Sequence, residues 1–525
     1  MWEGYLGFYV RVTSGDLSAW WAFHNEHRII LSRLLFWMDI AWFKSANKSL
    51  IVFNYLIVAS FCLFFWKVWR EREGERHNNY WLGFFFIAWF FSWIQEENFS
   101  WGFQSQFFLA QMLPFAAFYF MHKAASENEK STRNFSYSLL IGILCVGSMA
   151  NGILALPLMA FLSLILRMKW YRVFSLVLIS VLIITLYFEG YVSASGNGSF
   201  TISLFHHTLD FFHFLLLYIG SPFYYIFGHN QFSHNIAVGA GMFMIAAAII
   251  PAFKAIFKPK ENTFSLFLLT YILYFFGTAV GTTSGRLLLG GVEQALAGRY
   301  ATPALIAWAS LVLLYLPSIN KLNRTVQPFY WVPFLLALLA LLPYQINGME
   351  AKNDGLFERK VAALAFELGA RDEQQIKNIY HTVDIDNIVQ KAQKDHLSIF
   401  GVPPIEGAKK LLGTLYRVDA NKTPLCRGSV DAQQDITGDN NFLRITGWIF
   451  DPKSGIPPAR AVVIDEAGII QGIVITGKKR PDVESVVGSK AELSGFSGYV
   501  RTAVHSSSVQ IVDLDTGCHF FGNIK

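Results

Sequence analysis

The chain has 525 residues, of which 53% are hydrophobic, 16% aromatic and only 15% charged. Soluble domains carry about 25% charged residues, so this composition excludes a single water-soluble globule. The deficit is uneven, because the stretch from Phe135 to Phe253 holds only five charged residues, namely Arg167, Lys169, Arg172, Glu189 and Asp210. From about Ala351 onward the charge density is ordinary, which predicts a membrane part followed by a water-soluble part.

The formal net charge of +6 does not indicate a nucleic-acid partner. The basic residues form no continuous basic stripe of the kind that binds nucleic acid. They form short clusters between apolar runs, and such clusters are typical of the loops that orient a membrane protein. The lipid bilayer is therefore the first expected partner, and no nucleic acid is expected.

About ten apolar segments are long enough, or nearly so, to cross a bilayer. They cover approximately residues 50–67, 79–94, 107–122, 135–150, 153–167, 173–190, 236–256, 263–282, 301–317 and 328–346. Alternate loops carry basic clusters, which are Lys67/Arg70/Arg72/Arg76, Lys123/Lys130/Arg133, Arg167/Lys169/Arg172, Lys254/Lys258/Lys260 and Lys321/Arg324. Basic loops are cytoplasmic as a rule, so the N-terminal segment and the soluble tail are both predicted on the outer side.

Two segments depart from this simple alternation. The outer loop from Gly190 to Ile250 contains an apolar stretch, Phe211 to Phe223. We interpret this stretch as a re-entrant or interfacial helix, because a crossing would put either the Lys254 cluster or the Gly190 loop on the wrong side. The N-terminus lacks the features of a signal peptide, and Met1 is expected to lie downstream of a natural first span.

The outer tail is predicted to have a helical part and a β part. Residues 356–398 show helical spacing of apolar positions, and β-rich runs that end in turn sequences follow Cys426. We expect a transmembrane domain at 1–349, an extracytoplasmic helical region at 350–420 and a small all-β sandwich at 421–525.

Cys426 and Cys518 predict a disulfide and an oxidising compartment. The alternative is that the two thiols are unpaired.

The first candidate site is HNEHR, residues 24–28, which precedes the apolar run IILSRLLFWMDIAWF. Asn25 is a typical helix N-cap, which predicts an interfacial helix that begins at Glu26. Its polar face would hold Arg28, Ser32 and Asp39. The cluster supplies a base, a cation and two imidazoles, which are Glu26, Arg28, His24 and His27. The alternative is an interfacial anchor whose charges are solvated.

The second candidate site is QEENFSWGFQSQF, residues 95–107. Glu96 and Glu97 lie at a span end with no Lys or Arg nearby in sequence. Gln104 and Gln106 begin the next apolar run, where amides are costly unless they face a polar cavity. The cluster predicts a loop that faces a sugar or a phosphate, and the alternative is a hydrated loop.

The third candidate site is GRLLLGGVEQALAGRYATP, residues 285–303. Arg286 and Arg299 lie on an outer face that is otherwise poor in cations, so a local anion such as a phosphate is expected beside them. The alternative is that they pair with Glu293.

Histidines in the long outer loop raise the question of a metal. They are His206, His207, His213, His229 and His234, with Asp210 nearby. They contain no strict HxxxH element and no second carboxylate is close, so cavity-lining or interfacial histidines are favoured over a metal site. No cofactor is predicted, and a divalent metal is the less favoured interpretation.

Four segments together resemble bacterial multi-span membrane proteins of the GT-C glycosyltransferase superfamily. They are HNEHRI, ENFSWGFQSQFFL, ANGILALPL at 150–158, and GRYATP. The resemblance covers about residues 20–345, and the stretch 379–401 looks like the segment that follows the last span in such proteins. The tail sequences GWIFDPKSGIPP and RPDVESVVG resemble a small β module of bacterial surface-glycan proteins.

The resemblance implies a hexose transferase that uses a polyprenyl-phosphate-linked sugar and glycosylates an O-antigen or lipopolysaccharide-type acceptor. It would act at the outer side of the bacterial inner membrane, with the tail in the periplasm. Family members usually carry a catalytic acid in the first outer loop, which Glu26 matches best, with His27 and Arg28 beside it. Arg286 and Arg299 would bind the donor phosphate. The substrate cavity would include His24, Asp39, Glu96, Glu97, Gln104, Gln106 and Tyr300.

Two other functions remain open at this point. One is a glycan polymerase or ligase with a diphosphate-linked donor, and the other is a non-enzymatic lipid-sugar transporter or flippase. A transporter should show inverted repeats and charges within its spans, and neither is evident in the sequence.

Overall fold

A computed structural model describes residues 3–73, 80–192, 200–319, 332–350, 353–377, 385–417, 425–502 and 508–524. The chain forms two compact units. The membrane unit comprises mainly residues 3–39 and 47–350, and the tail unit comprises mainly residues 40–46 and 351–525. The predicted basic residues Arg76, Lys321 and Arg324 and the start of the 379–401 segment lie outside the described residues.

Helices dominate the membrane unit. They are α1 Phe8–Thr13, α2 Ile30–Phe43, α3 Lys48–Glu73, α4 Tyr80–Phe90, α5 Glu96–Ser100, α6 Ser105–Ser126, α7 Ser131–Val146, α8 Ala155–Ile165, α9 Trp170–Phe188, α10 Phe200–His206, α11 Thr208–Ile226, α12 Gln231–Phe257, α13 Thr263–Gly290, α14 Ala301–Ile319 and α15 Val332–Asn347. A mainly helical membrane-type unit is thus confirmed.

Six helices among the described residues are long and apolar enough to cross a membrane. They are Lys48–Arg72, Trp170–Phe188, Thr208–Ile226, Gln231–Phe257, Thr263–Gly290 and Gly298–Ser318. The expectation of about ten such helices is therefore not confirmed. The segments predicted at 79–94, 135–150 and 153–167 form helices of only 11, 16 and 11 residues, which at 1.5 Å per residue are shorter than a bilayer core.

Helix ends that the basic clusters assign to the cytoplasmic side contact one another. Glu71 near the end of α3 accepts hydrogen bonds from the Tyr119 hydroxyl at 2.7 Å and the Lys123 ammonium at 3.1 Å, both on α6. His122 Nδ1 lies 2.9 Å from Thr263 Oγ1 at the start of α13. Three helix ends that the charge pattern groups on one side therefore lie together.

Helix α11 contains the apolar stretch that we interpret as re-entrant or interfacial. Near its start, His213 packs on His234 with ring centroids 5.0 Å apart, and His234 Nε2 lies 3.2 Å from Glu293 Oε1. Near its end, the Tyr225 hydroxyl donates to the carbonyl of Leu296 at 2.5 Å. The end of α11 thus contacts the short segment Val292–Leu296 directly, and its start reaches that segment only through His234 of α12, although the helix has the length and composition of a span.

The described part of the tail unit forms five α-helices and one antiparallel sheet. The helices are α16 Asn353–Leu368, α17 Glu373–Ile376, α18 Asp386–Lys394, α19 Ala408–Leu411 and α20 Pro481–Val487. The strands are β1 Arg427–Ile436, β2 Asp439–Phe450, β3 Arg460–Ile464, β4 Ile470–Lys478, β5 Gly495–Arg501, β6 Ser508–Val512 and β7 His519–Asn523, in the order β1-β2-β5-β4-β3-β6-β7.

The sheet closes on itself instead of forming the predicted sandwich of two stacked sheets. Leu425, just before β1, pairs with His519 of β7, and the Cys426 amide donates to the carbonyl of His519 at 2.8 Å. Cys426 and Cys518 form the predicted disulfide, with Cα atoms 5.1 Å apart. The all-β prediction is confirmed, and the two ends of the sheet meet in a barrel-like arrangement.

The central strands β4 and β5 of this sheet are buried on both faces. The inner face holds Ile445, Val474 and Phe496, all fully buried. On the outer face Ile473 and Tyr499 are also fully buried, because α16 packs against β4 and β5. The continuous apolar runs AVVI and GIVI fit a sheet covered on both sides, since a half-exposed strand would alternate apolar and polar residues.

Candidate functional site

The HNEHR segment forms a tight turn, so the prediction of a helix beginning at Glu26 is wrong. His24 and His27 exchange two backbone hydrogen bonds, at 2.8 and 3.0 Å, and α2 begins only at Ile30. Asn25 has a φ of 52°, a left-handed conformation that asparagine adopts more readily than most residues. The turn therefore uses Asn25 for its backbone conformation, and Glu26 lies at its tip.

The two oxygens of the Glu26 carboxylate differ in their contacts. Arg286 Nη2 donates to Glu26 Oε1 at 2.5 Å, across 260 residues of sequence. Glu26 Oε2 is buried and has no hydrogen-bond partner among the described residues. The two side chains are only 22% and 28% exposed, so the pair is partly withdrawn from water.

His27 faces the same carboxylate as a neutral ring. Its Nδ1 accepts from the Ala150 amide at 3.3 Å, so its proton is on Nε2, which lies 3.7 Å from Glu26 Oε1. Burial lowers the pKa of His27 from 6.5 to about 4, and it lowers the pKa of His24 to about 4 as well. At neutral pH these two imidazoles therefore supply polar groups to the site and no positive charge.

Arg28 is directed away from Glu26 and into the protein. Its guanidinium donates to the backbone carbonyls of Tyr187 at 2.7 Å, Glu189 at 2.5 Å and Trp21, and it lies 3.9 Å from the ring centroid of Phe23. These contacts join the start of α2 to the end of α9. The structure thus places Arg28 as a support for the turn.

Asp39 is likewise fully buried and has local partners. It accepts hydrogen bonds from the hydroxyls of Tyr5 and Ser49, and from the Asn47 amide at 3.3 Å. The predicted polar face of α2 is therefore turned inward, whereas Leu34, which is not on that face, is 51% exposed. The hydrogen bonds that water would donate to an exposed Asp39 are donated by groups of the protein.

The second and third candidate sites meet at another ion pair. Arg299 Nη1 lies 3.3 Å from Glu97 Oε1, and the guanidinium also lies 5.2 Å from the ring centroid of Tyr300. The Glu97 side chain is 42% exposed and that of Arg299 is 31% exposed. Glu96 begins α5 beside this pair. Glu293, the alternative partner for both arginines, pairs with His234.

Residues that the sequence analysis did not single out hold these two segments together. Asn98 is fully buried, and its amide donates to the Arg299 carbonyl at 3.0 Å and to Thr302 Oγ1 at 2.9 Å. The Thr302 hydroxyl in turn donates to Gln95 Oε1 at 2.5 Å. Their position between apolar runs is a sequence signal that could have identified these polar residues as buried. The sequence does not specify which residues they contact.

The start of α6 lies between the first and third candidate sites. Phe103 packs on His24 with ring centroids 4.9 Å apart, and the Ser105 hydroxyl donates to Ser32 Oγ at 2.8 Å. Phe107 lies 6.3 Å from Tyr300, measured between ring centroids. The segment ANGILALPL contacts the first candidate site through Ala150 and His27, so each of the four segments of the resemblance contacts at least one of the others.

Several side-chain acceptors in these segments are buried without a donor among the described residues. They are Glu26 Oε2, Asn98 Oδ1, Gln104 Oε1, Gln106 Oε1 and Asn151 Oδ1. Burying a polar atom without a partner costs about 1 to 3 kcal/mol, so a ligand that donates hydrogen bonds would stabilise this arrangement. Sugar hydroxyls have this property.

The described residues contain no group of three or more His, Cys, Asp and Glu side chains that could hold a metal ion. The loop histidines instead contact each other and neighbouring polar groups, for example His229 Nε2 and the Tyr344 hydroxyl at 2.9 Å. No family model, curated protein or solved structure matches the chain.

Proposed function

We propose that the protein is a membrane glycosyltransferase that moves a hexose from a polyprenyl-phosphate donor to a surface glycan. The observation that carries the proposal is the Glu26 carboxylate, which has one oxygen on Arg286 and a second, buried oxygen without a partner. A general base needs such an available oxygen within hydrogen-bond reach of the proton that it removes.

In the proposed reaction, the acceptor hydroxyl donates to Glu26 Oε2 and attacks the anomeric carbon of the donor sugar. A new glycosidic bond forms as the bond between that carbon and the phosphate oxygen breaks, and the hydroxyl proton passes to Glu26. The lipid phosphate leaves with increased negative charge. Arg286 and Arg299 would stabilise this charge, as cations near a leaving group do.

The proposed topology has ten crossings in a GT-C-like arrangement, with the active site and the tail unit on the periplasmic side of the inner membrane. The contacts of Lys123 with Glu71 and of His122 with Thr263 support this topology, because they join helix ends that the basic clusters group on the cytoplasmic side. The Cys426–Cys518 disulfide supports an oxidising compartment for the tail.

Glu26→Gln tests the proposal, since glutamine keeps the size of the side chain but cannot take the proton. In source cells that lack the natural gene, the wild-type chain should add one hexose per glycan unit, measured by mass spectrometry of the surface glycan. The Gln variant should lower transfer at least about 100-fold at equal protein level. Glu189→Gln is the matched control, because the Glu189 side chain is exposed.

The same measurement separates the alternatives. A polymerase or ligase would change the chain length or attachment of the glycan and leave its hexose content per unit unchanged. A transporter would alter the amount of glycan on the surface without dependence on a proton acceptor. Near-normal hexose transfer by Glu26→Gln would contradict Glu26 as the base.

A further inference from the structure

The tail unit contains a polar cavity of about 270 Å³ that none of the candidate sites includes. It lies between the start of α16, the short helix α17 and the outer face of the sheet. Its polar lining includes Glu358, Gln375, Arg444, Thr446, Lys478 and Ser497. Ligand pockets begin at about 300 Å³, so this cavity suits one or two sugar rings better than a long chain.

One wall of the cavity is fixed by a buried hydrogen-bond network. Arg444 Nη1 donates to Asp372 Oδ2 and to Gln375 Oε1, each at 3.1 Å, and the Tyr499 hydroxyl donates to the same Asp372 oxygen at 3.1 Å. The Gln375 amide donates to the Glu358 carboxylate. Because each group is held by at least one partner, the wall is preorganised, which lowers the entropic cost of binding.

Three further lining residues, Thr446, Ser497 and Lys478, offer polar groups that have no partner among the described residues. Thr446 on β2 lies directly opposite Ser497 on β5 in the strand register, so both hydroxyls are on the same face. Within the described ranges, neither hydroxyl is in a hydrogen bond and Lys478 is in no ion pair. The cavity therefore presents two hydroxyls and an ammonium beside a carboxylate that is only partly used.

The charges of the lining favour a neutral, hydroxyl-rich ligand. Arg444 is paired with Asp372, which is only 5% exposed, and the charges of Lys478 and Glu358 have opposite signs. A strongly anionic ligand would meet the Glu358 carboxylate, and an apolar ligand would leave the polar groups unpaired. Sugar hydroxyls both donate and accept, so they can satisfy the carboxylate, the ammonium and the hydroxyls together.

We propose that this cavity is a carbohydrate-binding site, which holds the acceptor glycan by one or two of its sugar rings. The identification of the glycan as the acceptor rests on the proposed function, whereas the binding of carbohydrate does not. The proposed role of the site is to bind glycan, and transfer of the sugar is assigned to Glu26.

The test uses the full-length protein in detergent and the delipidated polysaccharide released from the envelope of source cells that lack the gene. Saturable binding is measured by titration calorimetry. Replacing Thr446 with Val and Lys478 with Gln together should weaken binding at least tenfold. Lys479→Gln is the matched control, because Lys479 is the next residue, pairs with Glu492 at 3.5 Å and does not line the cavity; it should leave binding unchanged.

Several outcomes would overturn the proposal. They are no saturable binding by the wild-type chain, equal binding by the double variant, and complete competition by inorganic phosphate, which would identify an anion site. Glu26→Gln is included because it should bind the polysaccharide normally. Normal hexose transfer by that variant would contradict the proposed base without affecting the binding result, so the two failures are distinguishable.

Discussion

Two histidines, His24 and His27, close the turn that carries Glu26, and burial lowers the pKa of each ring to about 4. In the unfolded chain the same rings take up a proton near pH 6.5. Between these values the unfolded state binds more protons, so the stability contributed by the neutral rings is complete above about pH 6.5 and is lost as the pH falls towards 4.

We therefore expect the melting temperature of the purified protein to fall as the pH is lowered from 7 to 4. Both rings contribute to the loss in the same direction, because both are held neutral by burial in the folded state. His27→Gln should flatten the profile, because glutamine takes up no proton. Replacing the exposed His206 with Gln is the control, and an unchanged slope in His27→Gln would contradict the assignment.

At the scale of elements, the disulfide between Cys426 and Cys518 closes a loop of 92 residues around the sheet. Cross-linking removes conformational freedom from the unfolded chain. Replacing both cysteines with Ser should lower the free energy of unfolding of the tail by about 2 to 4 kcal/mol, measured by urea titration of the full-length protein. Mass spectrometry after alkylation should show the bond in wild-type chains, and its absence there would contradict this prediction.

Elements that depend on local pattern could be predicted from the sequence, and those that depend on distant partners could not. Helices α3, α12 and α13 follow from long apolar runs, and the strands follow from their β-rich composition. The turn at Asn25 was missed because an asparagine before a helical pattern serves equally as a cap or in a left-handed turn. A sandwich and a closed sheet use the same strand sequences, so closure between β1 and β7 was not predictable.

The candidate site shows the same limit. Density of polar residues in apolar surroundings identified Glu26, Glu97, Arg286 and Arg299, and all four form ion pairs in the structure. Their pairing across more than 200 residues is a property of the fold. Arg28 was grouped with Glu26 because the two are near in sequence, but the backbone carbonyls at the end of α9 determine its direction.

At the scale of the whole molecule, helix α11 determines how many times the chain crosses the membrane. Its end contacts the segment Val292–Leu296, and near its start His213 packs on His234 of α12, which pairs with Glu293 of the same segment. We therefore expect Asp210 and Gln231 on either side of the helix to lie in the same compartment. Single cysteines at these exposed positions should both react with an impermeant thiol reagent from outside, in a chain whose Cys62 and Cys145 are replaced with Ala. A cysteine at Glu129 should react only after the membrane is opened.

Reaction at one of the two positions alone would show that α11 crosses. That result would move the Lys254 cluster or the Gly190 loop to the opposite side, and the positive-inside pattern would then fail at this point of the chain.

The closed sheet of the tail has a consequence for how the protein can associate. An open sheet leaves unpaired amides and carbonyls along its edge strands, and these can pair with another chain. Here the described outer strands β1 and β7 lie against each other, with the disulfide beside them. Where these strands meet, the backbone groups of the edge are occupied, so another protein has to recognise this part of the tail through its side chains and cannot add a strand there.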